Sequence, residues 1–223
     1  MTEADIPGVV SLQTRAFPKL KPWTPRQLQR HLARFPEGQL VAVDATGRVV
    51  GSASALVVRW EGFADREPWG VVTDGGSFRT HGLATGDTLY GADIGVEPEA
   101  HGRGIGAALY AARRNLARRL GLPRIGTAGR IVGYAAVADQ LSAEAYVREV
   151  VAGERHDPVL SFQLRQGFVV RGVIPRYIPS DRASRGHGVV LEWRDESRLR
   201  GRWPPGEAAA GPPRVTPRQS SAG

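Results

Sequence analysis

At 223 residues the chain has room for one large domain or two small ones, and its 41% hydrophobic and 23% charged residues are ordinary globular usage, which excludes wholesale disorder. The absence of cysteine excludes a disulfide framework, a thiolate zinc site and a cysteine nucleophile together. The formal charge is +8 and all but two of the 30 basic residues are arginine, a skew that genome composition alone can produce, so basicity by itself says little about nucleic acid. No run of about 18 apolar residues occurs. The opening MTEADIPGVVSLQTRAF has no basic region leading into a long apolar core, so a soluble, cytoplasmic protein is expected.

The first segment, Asp5 to Phe17, reads as a short helix with Ile6, Val9, Val10, Leu12 and Phe17 on its apolar side. Thr24-Pro25 marks a second helix start, with Leu28, Leu32 and Phe35 as its buried stripe. Gln39 to Asp44 and Arg48 to Trp60 are β-rich and separated by Ala45-Thr46-Gly47, a hairpin signature. Residues 61–87, rich in Gly and charge, read as a long loop of the functional or mobile kind. Thr88 to Val96 is the next strand, followed by HGRGIG and a helix over Ala107–Leu120 that Gly121 and Pro123 end. Ile105, Leu109, Ala112, Leu116 and Leu120 share a face of that helix, and Arg113, Arg114, Arg118 and Arg119 read as its solvated side. A strand from Arg124 to Ala128, a helix capped by Ser142 and another starting at Asp157 follow, then strands Phe168–Ile178 and His187–Trp193. Residues 1–195 thus form one α/β (α+β) domain, and 196–223, rich in Pro, Gly and Ala, are expected to be a disordered tail.

The strongest chemical signal is a strand running into His101-Gly102-Arg103-Gly104-Ile105-Gly106 and then a helix. Alternate glycines allow a tight turn with no side chains in the way, so amide N–H groups can converge where a helix start carries roughly half a positive charge. A pyrophosphate suits that arrangement, and Arg103 adds an attractive field. There is no Gly-Lys-Ser/Thr, and the glycine spacing is not that of a dinucleotide fold. His81, His101, His156 and His187 have no short ligand spacing, so no metal site is expected.

The segment IGVEPEAHGRGIGAALYAA resembles the acetyl-CoA-binding motif of the GCN5-related N-acetyltransferase (GNAT) superfamily, Arg/Gln-x-x-Gly-x-Gly/Ala. Gly104 and Gly106 match it, and His101 stands in the Arg/Gln position. A closer likeness, carried by GDTLYGADIGV, GRIVGY, SAEAYVREVVAGERHDPVLSFQLRQGF and VVLEW, is to the acetyltransferase half of two-domain proteins that also carry a carbon–nitrogen hydrolase. Nothing after Trp193 resembles a hydrolase. The resemblance implies a mixed, mostly antiparallel central sheet flanked by helices and splayed at the motif strand; the superfamily usually begins with a strand, whereas this sequence opens straight into the first helix, so either that strand is dispensable or the start lies further upstream.

The resemblance further implies acetyl-CoA as co-substrate and transfer to a small-molecule or peptide amine by direct attack. Ile94, Gly95 and Val96 would line the pantetheine arm, Gly102 to Gly106 would hold the pyrophosphate, and the Val96 N–H would meet the developing oxyanion. The position of a carboxylate base in the histone-modifying branch falls on Tyr90, with Asp93 and Asp87 as neighbouring alternatives. The tyrosine that many relatives use as acid, four residues before the Gly167-Phe168 pair, is replaced by Gln163, which cannot serve as an acid. Arg130 and Tyr134 lie where the acceptor would arrive. A homodimer and a separate hydrolase partner are family-level expectations. Two other readings compete: a catalytically degenerate CoA-binding regulatory module, and a nucleic-acid binder using the arginine-rich helix, against which its apolar stripe and lack of interleaved aromatics speak.

Overall fold

The computed structural model describes residues 1–195, so the expected tail lies outside the described residues. Two helices open the chain, α1 (Ile6–Ala16) and α2 (Pro25–Arg34). Pro25 follows Thr24, whose hydroxyl accepts from Gln27 N–H while Gln27 Oε1 accepts from Thr24 N–H, the reciprocal cap the sequence signals. The hairpin β1 (Gln39–Val43) and β2 (Val49–Val58) follows, then α3 (Trp69–Val72), β3 (Thr88–Val96), α4 (Ile105–Arg119), β4 (Arg124–Arg130), α5 (Ala143–Ala152), α6 (Leu160–Arg165), β5 (Val169–Ile174) and β6 (Gly188–Arg194). The six strands form one sheet in the order β1-β2-β3-β4-β6-β5, antiparallel throughout except for β3 and β4. Among the described residues α1 is the first helix after a short turn, and the Met1 amino group donates to Gln39 O on the edge strand β1.

Both faces of the sheet are covered, so β2 is buried along its whole length. On one face α4, α5 and α6 pack Tyr110, Leu116, Val147 and Leu160 onto Leu89, Ile125 and Leu191. On the other, α1 and α2 bring Val9, Leu12 and Leu28 to Leu56, Tyr90 and Val190. The stretch read as an open loop, 61–87, belongs to this second layer: Ala64, Val72 and Phe78 are buried in it beside Trp60. Its glycines and charges hide three buried apolar residues spaced too irregularly to show a period.

The sheet parts at its centre. Pairing of β3 with β4 runs only from Thr88 to Gly91 against Arg124 to Thr127. Beyond that fork β3 stays with β2 to Val96, whereas Ala128 to Arg130 of β4 pair only with β6. A bulge at Ala92, where the β2–β3 register slips between Ser54 and Ala55, accompanies the parting, since a bulge bends and twists its strand.

Candidate active site

The opened edge of β3 has a definite polarity. Glu97 N–H donates to Val50 O, and hydrogen-bonded pairs alternate with non-bonded ones along an antiparallel ladder. Gly95 therefore faces β2, while the amides and carbonyls of Val96 and Ile94 face the gap. Ile94 and Val96 are half-buried. His101 donates from Nε2 to Val96 O at 3.2 Å, which occupies that carbonyl and leaves the Val96 N–H.

The gap leads to the glycine loop. Gly102 and Gly104 have φ of +77° and +79°, and a Cβ at either would meet no atom within 4 Å, so glycine is required there by conformation and not by crowding. Gly104 caps α4 with no side-chain hydrogen bond, and Ala108 N–H is the first amide of the helix to find a carbonyl. Among the described residues, the amides of Gly102 through Ala107 have no acceptor. Such a cluster at the start of a 15-residue helix is a site for an anion that the protein itself does not supply. Glu97, buried at the end of β3, is gripped through both oxygens by Arg15 at 2.7–2.9 Å, which ties α1 to the root of the loop and holds its carboxyl below the usual range.

On the α1–α2 side of the gap stands Asp93. Its Oδ2 accepts from Gln13 Nε2 at 2.6 Å and Trp23 Nε1 at 3.2 Å, and its Oδ1 from Ser54 N–H at 3.0 Å. Burial nevertheless pushes its pKa up, against the pull of the Arg113 charge and of the Trp23 and Ser54 donors. The Trp23 and Trp69 rings lie 5.3 Å apart beside it, and Trp69 Nε1 donates to Ala92 O. Tyr90, the other base position, is fully covered; its hydroxyl shares a 2.7 Å hydrogen bond with Tyr177, and burial raises its pKa, so it faces the core and not the gap. Asp87 caps the opposite, closed end, accepting from Trp60 N–H. Arg130 and Tyr134 come close to the end of β4 but are engaged elsewhere. Arg130 grips Asp181 through two bonds of 2.6 and 2.7 Å, and the Tyr134 hydroxyl donates to Leu141 O.

Two buried residues of α4 are ones that sequence reasoning placed elsewhere or passed over. Arg113, read as solvated, is 1% exposed. Its guanidinium donates through Nη2 to the carbonyls of Ser54 and Asp93, satisfying backbone that the bulge releases from the ladder. The buried arc of α4 is Leu109, Tyr110, Arg113, Leu116 and Ala117, turned from the face expected. Arg113 stands at i+4 from Leu109 and i−3 from Leu116, the one signal that could have found it. Tyr110 is 1% exposed, and its hydroxyl accepts from Gln163 Nε2 at 3.2 Å. Among the described residues no cluster of His, Asp or Glu could hold a metal ion.

A sheet forked between its parallel strands, with a bare amide cluster at the head of the crossover helix, defines the class of splayed-sheet acyltransferase folds. The chain belongs to the acetyltransferase (GNAT) family, whose profile matches residues 6–138. It is 39% identical over 198 residues to the uncharacterized N-acetyltransferase YkwB of Bacillus subtilis (strain 168), covering 87% of this chain and 86% of that one. It is also 39% identical over 191 residues to the probable hydrolase YhcX of the same strain, covering 86% of this chain but only 37% of that longer relative. Among solved structures, the GNAT-like decarboxylase GphF in complex with isobutyryl-CoA superposes with a TM-score of 0.74 at 24% identity, over 87% of this chain and 96% of that one, a likeness of fold.

Proposed function

We propose that the protein is an acyl-CoA-dependent N-acetyltransferase that moves an acetyl group from acetyl-CoA to a primary amine by direct attack. The observation that carries this reading is the set of acceptor-free amides from Gly102 to Ala107, which fits a diphosphate and nothing in the chain. Arg103, exposed in the same loop, adds charge. The pantetheine arm then runs along Ile94, Gly95 and Val96, using the gap-facing polar groups of Ile94 and Val96 as a further strand would. When bound, acetyl-CoA supplies an activated acyl carbonyl. The Val96 N–H is oriented to donate to that oxygen as it gains charge.

The amine comes from the opposite mouth of the gap, past Trp23 and Trp69. Asp93, with its raised pKa, is the group on that side able to take the ammonium proton, directly or through water. Arg130 and Tyr134 serve by holding the segment after β4 and the Asp181 turn in place. The likeness to YhcX supports a hydrolase as a partner of this domain.

Acetyl-CoA is expected to raise the melting temperature of the wild-type protein and to leave Gly104→Val unmoved, because valine at φ +79° distorts the amide cluster. No shift at millimolar acetyl-CoA would contradict the reading. Gln163, at the place of the usual acid, favours a second reading, a CoA-binding regulatory module without catalysis. Screening amines for release of free CoA thiol separates the two: binding without release in any amine selects the module.

A further inference from the structure

The second face of the sheet carries a cavity that acyl transfer leaves unused. On that face α1 lies over β2 and β3, and beside β4, β6 and β5 the segment 60–66 covers only part of the surface. A cavity of about 550 Å³ remains between that segment and the three strands, within the roughly 300–1,000 Å³ usual for small-molecule sites. Trp60 forms one wall; its indole lies 2.2 Å from where a Cβ on Gly126 would stand, so glycine at that position is what lets the ring settle on β4. Arg124, also on the lining, pairs with Thr88 at the closed end of the sheet. Thr88 and Val96 stand at opposite ends of β3, about 26 Å apart at 3.3 Å per residue, so this end of the cavity is remote from the amide cluster.

The floor holds a charge that packing alone does not call for. β6 turns Val190, Glu192 and Arg194 to the cavity and Val189, Leu191 and Trp193 to the opposite layer. The Glu192 side chain is 3% exposed, beside the apolar Val190 and Ile174. A carboxylate buried there is costly, and an apolar residue would pack with less penalty. Its partners are the Nε of Arg171, at 2.9 Å, and the Nε of Arg194. Arg171 is the extra residue of a bulge in β5, a device that re-aims a side chain. The two arginine side chains are 47% and 43% exposed, so a ligand meets the cations and not the carboxylate beneath them. Each guanidinium spends Nε on Glu192, and among the described residues their Nη groups have no acceptor. Arg66 and Arg124 complete a lining of four guanidinium groups, held by Asp65 at 3.4 Å and Glu61 at 3.3 Å.

We propose that this cavity is a second ligand site, for a small organic phosphate: a phosphate monoester whose head is bound by the Nη groups of Arg171 and Arg194 and whose carbon body lies against Trp60, Val190 and Ile174. Two pinned forks offer more N–H donors than the two oxygens of a carboxylate accept, and the three terminal oxygens of a phosphate match them better. Glu192 is the positioning residue. By fixing each Nε it takes up side-chain freedom before the ligand arrives, so less is lost on binding. The site is independent of the coenzyme placement given under Proposed function.

The probe is phenyl phosphate, followed in the intact protein by calorimetry and by backbone amide shifts. Dephospho-CoA, which has the diphosphate but no phosphate monoester, is kept saturating to occupy the glycine loop. Phenyl phosphate is expected to shift the amides of Arg171, Gly172 and Glu192 to Arg194, and to bind at least about tenfold more tightly than benzoate. Arg171→Gln and Arg194→Gln each weaken it about tenfold, the scale of one charge-assisted pair. Glu192→Gln makes the cavity more positive and yet weakens binding, because the forks are no longer pinned; simple charge attraction would tighten it. The wild-type comparisons stand even where a variant fails to fold. No binding at millimolar phenyl phosphate, benzoate bound equally well, or shifts confined to Gly102–Ala107 would overturn the site, and tighter binding by Glu192→Gln would overturn the role of Glu192.

Discussion

Asp93 and His31 show how this fold uses buried titratable groups on the α1–α2 side. Asp93 has three donors and a raised pKa, which suit the base role proposed for it. As the base it must be ionised, so transfer is expected to fall as pH drops through that raised pKa, and Asp93→Asn to lose at least 100-fold in kcat/KM, an order-of-magnitude expectation for a general base. An amine-transfer assay across pH, with CoA affinity as control, checks this; a fully active Asp93→Asn sinks the role. His31 is fully covered, stacked on Phe78 at 3.6 Å, with Nε2–H donating to Gly76 O at 2.8 Å and Nδ1 without a partner. Burial lowers its pKa from 6.5 to about 4. The unfolded chain therefore takes up a proton between pH 6.5 and about 4 that the native protein refuses, so the stability His31 contributes is complete above pH 6.5 and lost as pH falls towards 4. The loss amounts to about 3 kcal/mol. Urea unfolding at pH 7 and pH 5 should show about 2 kcal/mol of that loss in the wild type and a smaller difference in His31→Gln.

At the scale of elements, the bulge in β3 and the helix that serves it depend on each other. Arg113 donates to two carbonyls that the bulge leaves without ladder partners, so Arg113→Met strands both in the interior and is expected to destabilise by about 3 kcal/mol in chemical denaturation. A loss below about 0.5 kcal/mol, the scale of a surface change, would show that the guanidinium is not holding the bulge. The strand and helix boundaries were largely legible: β3 begins and ends where the sequence put it, and Thr24 and Ser142 cap as expected. Those signals are local, carried by a turn residue or an apolar run. Arg113 was not legible in the same way, because a polar residue on an apolar stripe reads as solvated until the backbone it serves is in view. Tyr110 and Gln163 are fifty residues apart and each reads as ordinary amphipathic filling; only the packing of α6 against α4 joins them. The glycine loop, by contrast, announced itself, since its conformation and its chemistry both lie within six consecutive residues.

For the whole molecule, the positive charge is distributed so as to limit its reach. Arg15, Arg118, Arg124, Arg130, Arg171 and Arg194 each lie within 4.0 Å of a carboxylate, and Arg113 is buried. The helix once suspected of offering an arginine face thus leaves few of its cations to act together. Duplex DNA is expected to bind weakly and to be released by moderate salt in an anisotropy titration; a complex that persists would revive the nucleic-acid reading. The remaining architecture converges on one place, where a forked sheet, a bulge and a helix start meet.

The most direct measurement there is a titration of the isotopically labelled protein with CoA, followed through the backbone amide resonances. The account requires the amides of Gly102 to Ala107 to shift together and saturably, and pantetheine, which lacks the diphosphate, to leave them in place. Saturating CoA that leaves those amides unmoved, or moves a different part of the chain instead, would contradict it.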